Sequence, residues 1–510
     1  MANSAGGNST RLLYDDDDDF DDGTPLHSIM FSAVTLSLIL VLFKIIYERW
    51  VTPLSQVPGD FWYSISGLPM RFQMLKGRLP QTLLRMHDKY GPVVRISPQR
   101  VSINDMAMVK QVLGTHAFLK SQAYEMPSNI EPNVFSTRSP ELNTKRRKQL
   151  GPSFSHKHLN DMEPYVLSCG VHGIRRKLDA LLSKQDGALV QFHKWFSLVT
   201  LDVIGTLGFG QQFSALEQER HELVPLLNRI RVFNYLALAF PWLKQLPRLL
   251  GKRLQTLHKL QVFSQNAIDQ RRRNPSQNVD LLQMMLESQT PMSDPEMVSE
   301  TILHLVAGVD TTSAGLTWTM LLLLHNPHVL QRLTREIREK FSPGHVITFE
   351  ECRQQLPYLT AVINESLRVC SPAPSILPRT VPSDGLRIGG YFLPAGSLVC
   401  PAILPLHMNP NAFASPTTFD PDRFMGRNSE KPLAFSMGVR ACLGRNLALM
   451  EMHVVFANLL LSYDLRLPHK EASGSKETFG IIPDIPHQTK MTMNPQYPDR
   501  DCLVYISHCS

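Results

Sequence analysis

Residues 435–445 read Phe-Ser-Met-Gly-Val-Arg-Ala-Cys-Leu-Gly-Arg. One cysteine, Cys442, lies in a turn between Gly438 and Gly444, two residues after Arg440, and an apolar helical run from Leu447 to Leu461 follows. A sulfur at the start of a helix meets unpaired backbone N–H groups and the positive end of the helix dipole, and both favour the thiolate. Glycines on either side let the backbone approach a flat ligand closely and turn its N–H groups onto the sulfur. Phe435 can shield that sulfur from water, and Arg440 can pair with a carboxylate of the ligand. The plainer alternative is a buried, inert cysteine, the usual fate of a lone thiol.

Three further groups stand out by type and spacing. Ala307-Gly308-Val309-Asp310-Thr311-Thr312 places an Asp and two Thr inside an otherwise apolar helical stretch. Asp and Thr are poor helix formers, and a local fault of this kind is expected where function requires it. Glu365 and Arg368 share one helix face at i and i+3. On a surface such a pair contributes only a few tenths of a kcal/mol. Arg146, Arg147 and Lys148 read as a solvated basic face, suited to a partner.

The elements that must position these residues are mostly helices. Residues 140–370 are helical in pattern, and Pro295 to Asn326 reads as one long helix, apolar on most faces and stopped by Asn326-Pro327. A helix apolar nearly all round belongs at the centre of a large domain. Val93 to Pro98 and Arg100 to Ile103 read as short strands, and residues 376–404, rich in Pro, Gly and β-branched types, as small sheet elements. The expected class is mainly α with small β-sheets, in one large domain.

Composition narrows the function. The 510 residues are 43% hydrophobic and 19% charged, which describes a globular chain. Seven cysteines without a C-x-x-C pair argue against a zinc ribbon or a disulfide scaffold. The net charge of +7 conceals an asymmetry: residues 1–25 hold seven Asp and one Arg, whereas residues 48–510 hold 50 basic and 38 acidic residues. A basic body suits a nucleic acid, an anionic membrane or an acidic protein. The Asp run reads as a solvated segment that lacks the interleaved glycine of a calcium loop.

Between head and body, Leu26 to Phe43 carries no charge, Lys44 can snorkel, and Tyr47 and Trp50 suit a membrane interface. The region before it is acidic, where a cleaved signal peptide needs basic charge. The expected organisation is therefore an acidic head (1–25), a transmembrane anchor (26–47), a Pro-containing linker (48–59) and the main domain (60–510). Lys44 and Arg49 on the C-terminal side favour a lumenal N-terminus and a cytosolic body, which makes Asn8 in Asn8-Ser9-Thr10 a glycosylation candidate and leaves Asn364 unmodified. The apolar stretch Phe233 to Leu243 suits either a membrane-dipping segment or an ordinary core helix.

The cysteine loop, F-x-x-G-x-R-x-C-x-G, resembles the haem-binding loop of the cytochrome P450 monooxygenases, and three more motifs follow the order of that family. The resemblance covers about residues 55–510 and implies a single haem-thiolate domain behind the anchor, with haem b ligated by Cys442 and cradled by Phe435, Gly438 and Gly444. By the same resemblance Gly308 leaves room for dioxygen, and Asp310 and Thr311 deliver protons. Glu365 and Arg368 form a buried pair that also holds Arg423 of Pro421-Asp422-Arg423-Phe424, with Asp422 where Glu is commoner. Arg440, Arg379 and Arg147 match the positions of propionate partners, although Asn143 replaces the aromatic or His expected four residues before Arg147. The implied reaction inserts one oxygen atom of dioxygen into a lipophilic small molecule. Electrons come from an NADPH-cytochrome P450 reductase, with cytochrome b5 as a second donor, docked on the basic face that includes residues 145–148. The motifs thereby exclude nucleic acid. Phe154-Ser155 and Leu207-Gly208-Phe209-Gly210 resemble the fungal membrane-anchored branch, pointing to the endoplasmic reticulum membrane and to secondary-metabolite tailoring of a polyketide, terpenoid or alkaloid. Cavity walls are expected to include Phe118, Phe135, Phe233, Leu303 and Ile376. A reductase-independent isomerase or dehydratase typically lacks the Asp-Thr pair, and a non-catalytic haem sensor or membrane tether has no need of the full set.

Overall fold

The computed structural model describes residues 24–125, 131–240, 247–275, 280–426, 430–468 and 485–509, so the acidic head and Asn8 lie outside the described residues. The chain forms two units, one ending at Thr52 and one beginning at Pro53.

In the first unit, helix α1 (Thr24–Ile46) runs into a π-helical turn at Tyr47–Val51. Ser28–Val51 has a mean hydropathy of 2.5, and none of its most apolar stretch is covered by protein. Thr35 and Ser37 donate their hydroxyls to the carbonyls of Phe31 and Ala33 one turn back, so these polar groups are satisfied within the helix. A helix with apolar side chains all round and self-satisfied polar groups is compatible with hydrocarbon.

The second unit is a helical body with a sheet at one side. Short helices α2 (Phe61–Ile65) and α3 (Leu68–Leu75) precede strands β1 (Val93–Ser97) and β2 (Arg100–Ile103). With β3 (Arg379–Thr380) and β4 (Leu398–Pro401) they make a four-stranded sheet in the order β1-β2-β4-β3, in which β2 and β4 are parallel. Leu54 and Val57 are buried in the core of this sheet side, so the Pro-containing stretch after Thr52 packs as part of the body.

The body's helices include α4 (Pro140–Leu150), α5 (Phe192–Phe209), α6 (Leu223–Ala239), α7 (Asp294–His325), α8 (Pro357–Val369) and α9 (Arg445–Ser462). α7 is the axis of the fold. Ser293 and Glu296 form a capping box at its start, Pro295 occupies the first turn, and the helix ends at Asn326 before Pro327. From Thr312 to Leu324 every residue is buried, against α5, α8 and α9. Burying each leucine there contributes roughly 1.5–3 kcal/mol. The Thr200 hydroxyl of α5 reaches Val309 O at 3.3 Å, and the Trp318 ring N–H donates to Met493 O at 2.9 Å in the hairpin β5 (His487–Lys490) and β6 (Thr492–Pro495).

The structure decides between the two readings of Phe233 to Leu243 for its described part. Tyr235, Ala237 and Ala239 are buried, and the Tyr235 hydroxyl donates to Met74 O. Through residue 240 this segment is core, packed on α3 and its neighbours, whereas Trp242 and Leu243 lie outside the described residues.

Candidate active site

The cysteine loop is a tight, braced turn. Gly438 has φ +67°, and a side chain there would collide with the backbone carbonyl of Leu113, so glycine is required on both counts. Cys442 N–H closes the turn on Phe435 O at 2.8 Å, and Arg147 Nη1 donates to Ala441 O at 2.8 Å. The Arg445 guanidinium lies 6.0 Å from the Phe435 ring. Cys442 is accessible although much of the protein surrounds it. The N–H groups of Gly444 and Arg445 reach its sulfur as the sequence predicts. Their effect, with that of Arg147 and Arg445, is smaller than expected: burial dominates and pushes the thiol up.

Behind the loop, Glu365 accepts from Arg368 Nε (2.7 Å) and Nη2 (2.8 Å), from Arg423 Nε (3.0 Å) and from Asp420 N–H (2.8 Å). Glu365 and Arg368 are fully buried. Arg368 Nη1 also donates to His407 O at 2.8 Å, and His407 Nε2 accepts the N–H of Leu433, two residues before Phe435, at 2.8 Å. A continuous hydrogen-bonded path therefore runs from Glu365 to the cysteine loop. Sequence reasoning missed His407, because a lone His in an apolar segment carries no local signal. Burial and Arg368 push its pKa down to about 3. Asp422 turns outward to Arg332 at 2.7 Å and takes no part in the brace.

On α7, Leu303, His304, Val306, Ala307, Gly308, Asp310 and Thr311 are accessible or partly so, in a helix otherwise mostly buried. His304, Gly308 and Thr311 share one helix face. The His304 ring stacks on Phe154 at 5.6 Å, and Phe154 lies 3.9 Å from where a side chain on Gly444 would begin. The strip on α7 and the cysteine loop thus flank one space. At Gly308 a Cβ would meet Ile204 Cδ1 of α5 at 2.5 Å, so close packing of α5 on α7 is a further reason for the glycine. Asp310 Oδ2 lies 3.4 Å from Arg231 Nη1 of α6. Burial raises its pKa, and Arg231 opposes the rise. The Thr311 hydroxyl donates to Ala307 O at 2.7 Å.

A third feature is a cluster of cations. Arg379 in β3 is buried, and its strand position bridges to Lys120. Lys120 Nζ donates to Phe135 O and sits 4.5 Å and 4.2 Å from the ring centroids of Tyr124 and Phe135. Burial, followed by Arg379, Arg440 and Arg147, holds its pKa well below the usual lysine value. Arg440 donates to Thr137 O at 2.9 Å, and burial with Arg379 and Arg147 lowers it to about 10. Among the described residues none of these four cations has a carboxylate ion-pair partner. Converging cations, of which Lys120 and Arg379 are buried, are costly without an anion, so the cluster fits a ligand with more than one carboxylate. Asn143 is buried and gives its side-chain N–H to Val134 O. Lys120, 23 positions earlier, went unnoticed because only the fold brings it to Arg440.

The basic face at 145–148 is smaller than expected. Arg146 is buried and paired with Glu296 and Glu300 of α7, Arg147 turns inward, and only Lys145 and Lys148 are exposed.

Residues 58–491 match the family described as Cytochrome P450. Cytochrome P450 monooxygenase helB1 of Aspergillus fumigatus is 31% identical over 501 residues, covering 94% of this chain and 85% of the relative. Cytochrome P450 monooxygenase helB3 of the same fungus is 30% identical, covering 94% and 98%. Cytochrome P450 monooxygenase ORF11 of Penicillium roqueforti is 31% identical, covering 83% and 92%.

Proposed function

The chain belongs to the cytochrome P450 family and is a monooxygenase of haem-thiolate type using haem b, and from that premise we propose that it oxidises a lipophilic small molecule in a fungal tailoring pathway, with electrons from NADPH through a membrane-bound reductase. The observation that carries this reading is the space flanked by Cys442 and the accessible strip of α7, with an uncompensated cation cluster beside it. Bound there, haem would supply the activation of dioxygen, and the Cys442 sulfur would tune it.

The chain's own residues divide the work. Cys442 would ligate the iron, and Arg147, Arg379 and Arg440 would take the propionate carboxylates. Glu365, Arg368, Arg423 and His407 hold the cysteine loop rigid, so that the sulfur keeps one position. Asp310 takes up a proton on the Arg231 side, and the Thr311 hydroxyl passes it into the cavity. Phe435 excludes water from the sulfur. The apolar helix Ser28–Val51 anchors the chain in the endoplasmic reticulum membrane with the body cytosolic. Lys145 and Lys148 belong to the surface that meets the acidic reductase.

The reduced, CO-bound spectrum tests the ligand: Cys442→Ala abolishes the red-shifted band and Cys370→Ala keeps it. Candidate metabolites are then screened by the spin-state shift they induce, and hits are turned over with NADPH and reductase. Oxidation that proceeds without NADPH or reductase contradicts the monooxygenase cycle.

A further inference from the structure

Residues 131–137, which precede α4, form a turn without helix or strand, so their backbone groups must find partners outside regular structure. α7 supplies the main ones. Val134 N–H donates to Glu300 Oε1 at 2.8 Å, and the Ser299 hydroxyl donates to Glu131 O at 2.6 Å. Asn133 gives its side-chain N–H to Ser299 at 3.3 Å, while its side-chain oxygen accepts Ser136 N–H at 2.9 Å. Asn143 of α4 donates to Val134 O at 3.0 Å. Behind Glu300 the Arg146 guanidinium lies 3.5 Å away, bonded also to Glu296 and, at 3.0 Å, to Gln149. Arg146 and Glu300 are buried. Taking such a cluster out of water is costly and adds little net stability, so its value lies in what it holds. Burial raises the Glu300 pKa to about 8. Near neutrality Glu300 therefore serves Val134 chiefly as a neutral acceptor, with Glu296 left to balance Arg146.

The middle of the turn carries Phe135. Its ring is 47% exposed, lies edge to face with Tyr124 at 5.5 Å, and sits 4.2 Å from Lys120 Nζ. Its carbonyl accepts from Lys120, and the next carbonyl but one, of Thr137, accepts from Arg440. On the other side, Glu300 lies one turn before His304, at the start of the strip of α7 that flanks the cysteine loop. Phe135 therefore stands where that strip and the cation cluster meet, at the border of one space.

We propose that Glu300 is a positioning residue: through Val134 it fixes the Phe135 ring as a rigid wall of the haem-side space, and that wall limits the size of the ligand the site admits. The proposal rests on the reading of this space as the haem site. The wall yields only if the turn moves, and the turn moves only if the Val134–Glu300 bond gives way.

The test uses the full haem-loaded chain and two probes whose binding shifts the haem absorbance: imidazole, and the bulky triaryl azole clotrimazole. Glu300→Leu removes the acceptor and is expected to tighten clotrimazole about tenfold, leaving imidazole unchanged. Glu300→Gln keeps an acceptor for Val134 N–H and is expected to match the parent. Phe135→Ala removes the wall itself and is expected to tighten clotrimazole to the same extent. Adding Glu300→Leu to Phe135→Ala should then change nothing more, because a residue that acts through the ring has no effect without it. Amide exchange in the peptide 131–137 is expected to rise about tenfold in Glu300→Leu and to stay at the parent's rate in Glu300→Gln. Equal shifts for both azoles, additive effects of the two substitutions, or unchanged exchange in Glu300→Leu make Glu300 a structural part only and overturn the proposal. If Glu300→Leu does not fold, Asn133→Ala, which frees the same turn from Ser299, takes its place with the same expectations. A parent whose haem absorbance ignores imidazole contradicts the haem site itself, and the proposal falls with it.

Discussion

Arg231 of α6 places Nη1 3.4 Å from Oδ2 of Asp310 in α7, and the same nitrogen lies 3.4 Å from Thr492 Oγ1 in the β5–β6 hairpin. One guanidinium therefore ties three elements to the acid beside Thr311. Burial raises the Asp310 pKa and Arg231 counters it, so removing Arg231 lets it rise further. Arg231→Met is expected to move the pH at which product per NADPH is half-maximal upward by about one unit. Asp310→Asn lowers turnover about 100-fold and removes that pH step. An unmoved profile in Arg231→Met leaves the arginine a purely structural part.

Arg368 and Arg423 share the Glu365 carboxylate but differ in exposure. Arg368→Ala leaves Glu365 buried without its main partner and is expected to destabilise the fold by about 3–5 kcal/mol. Arg423→Ala, nearer the surface, costs about 1.5–3 kcal/mol. Urea denaturation followed by CD checks the ranking, and the CO spectrum reports whether the cysteine loop loosens with it.

His407 is neutral in the folded protein, with its pKa lowered to about 3, while an unfolded histidine titrates near 6.5. Above about pH 6.5 both states are neutral and its contribution is intact. Below that the unfolded chain binds a proton that the folded one refuses, so stability falls with acidity by about 1.4 kcal/mol per pH unit. His87 and His453, each lowered to about 4 chiefly by burial, act in the same sense. The gap between urea midpoints at neutral pH and near pH 5 is expected to narrow in His407→Gln by the share of one histidine, with the remainder left to the other buried histidines.

Lys120 joins a site that its neighbours Arg379, Arg440 and Arg147 already make strongly positive. Lys120→Met, which keeps the packing stem, is expected to speed haem transfer to a haem-free globin about tenfold, one lost charge contact being worth about 1.4 kcal/mol. With haem whose propionates are esterified, parent and variant should release it at the same rate. A variant still slower to release the free acid form than the ester by the parent's ratio removes Lys120 from the propionate site.

The chemistry was legible where it is local. Spacing within residues 435–445 specifies the cysteine turn, because chain geometry over ten residues dictates which groups can face one ligand. The long apolar run with its stop at Asn326-Pro327 predicted α7 to within one residue at each end. Glu365, Arg368 and Arg423 were named from motifs, but their link to Leu433 through His407 was not, since it joins segments far apart in sequence.

By itself, then, the sequence determined a haem-thiolate enzyme of the P450 family with an apolar N-terminal helix, through short motifs whose meaning is carried by neighbours along the chain. The tertiary structure decided which charges are buried and which surfaces are bare. It turned Arg146 into the core, brought Lys120 to Arg440, spent Gly308 on α5 packing, and left α2 and α3 apolar on the outside. Burial and convergence are set by contacts between distant segments, and no local pattern encodes which side of a side chain its distant neighbours will cover.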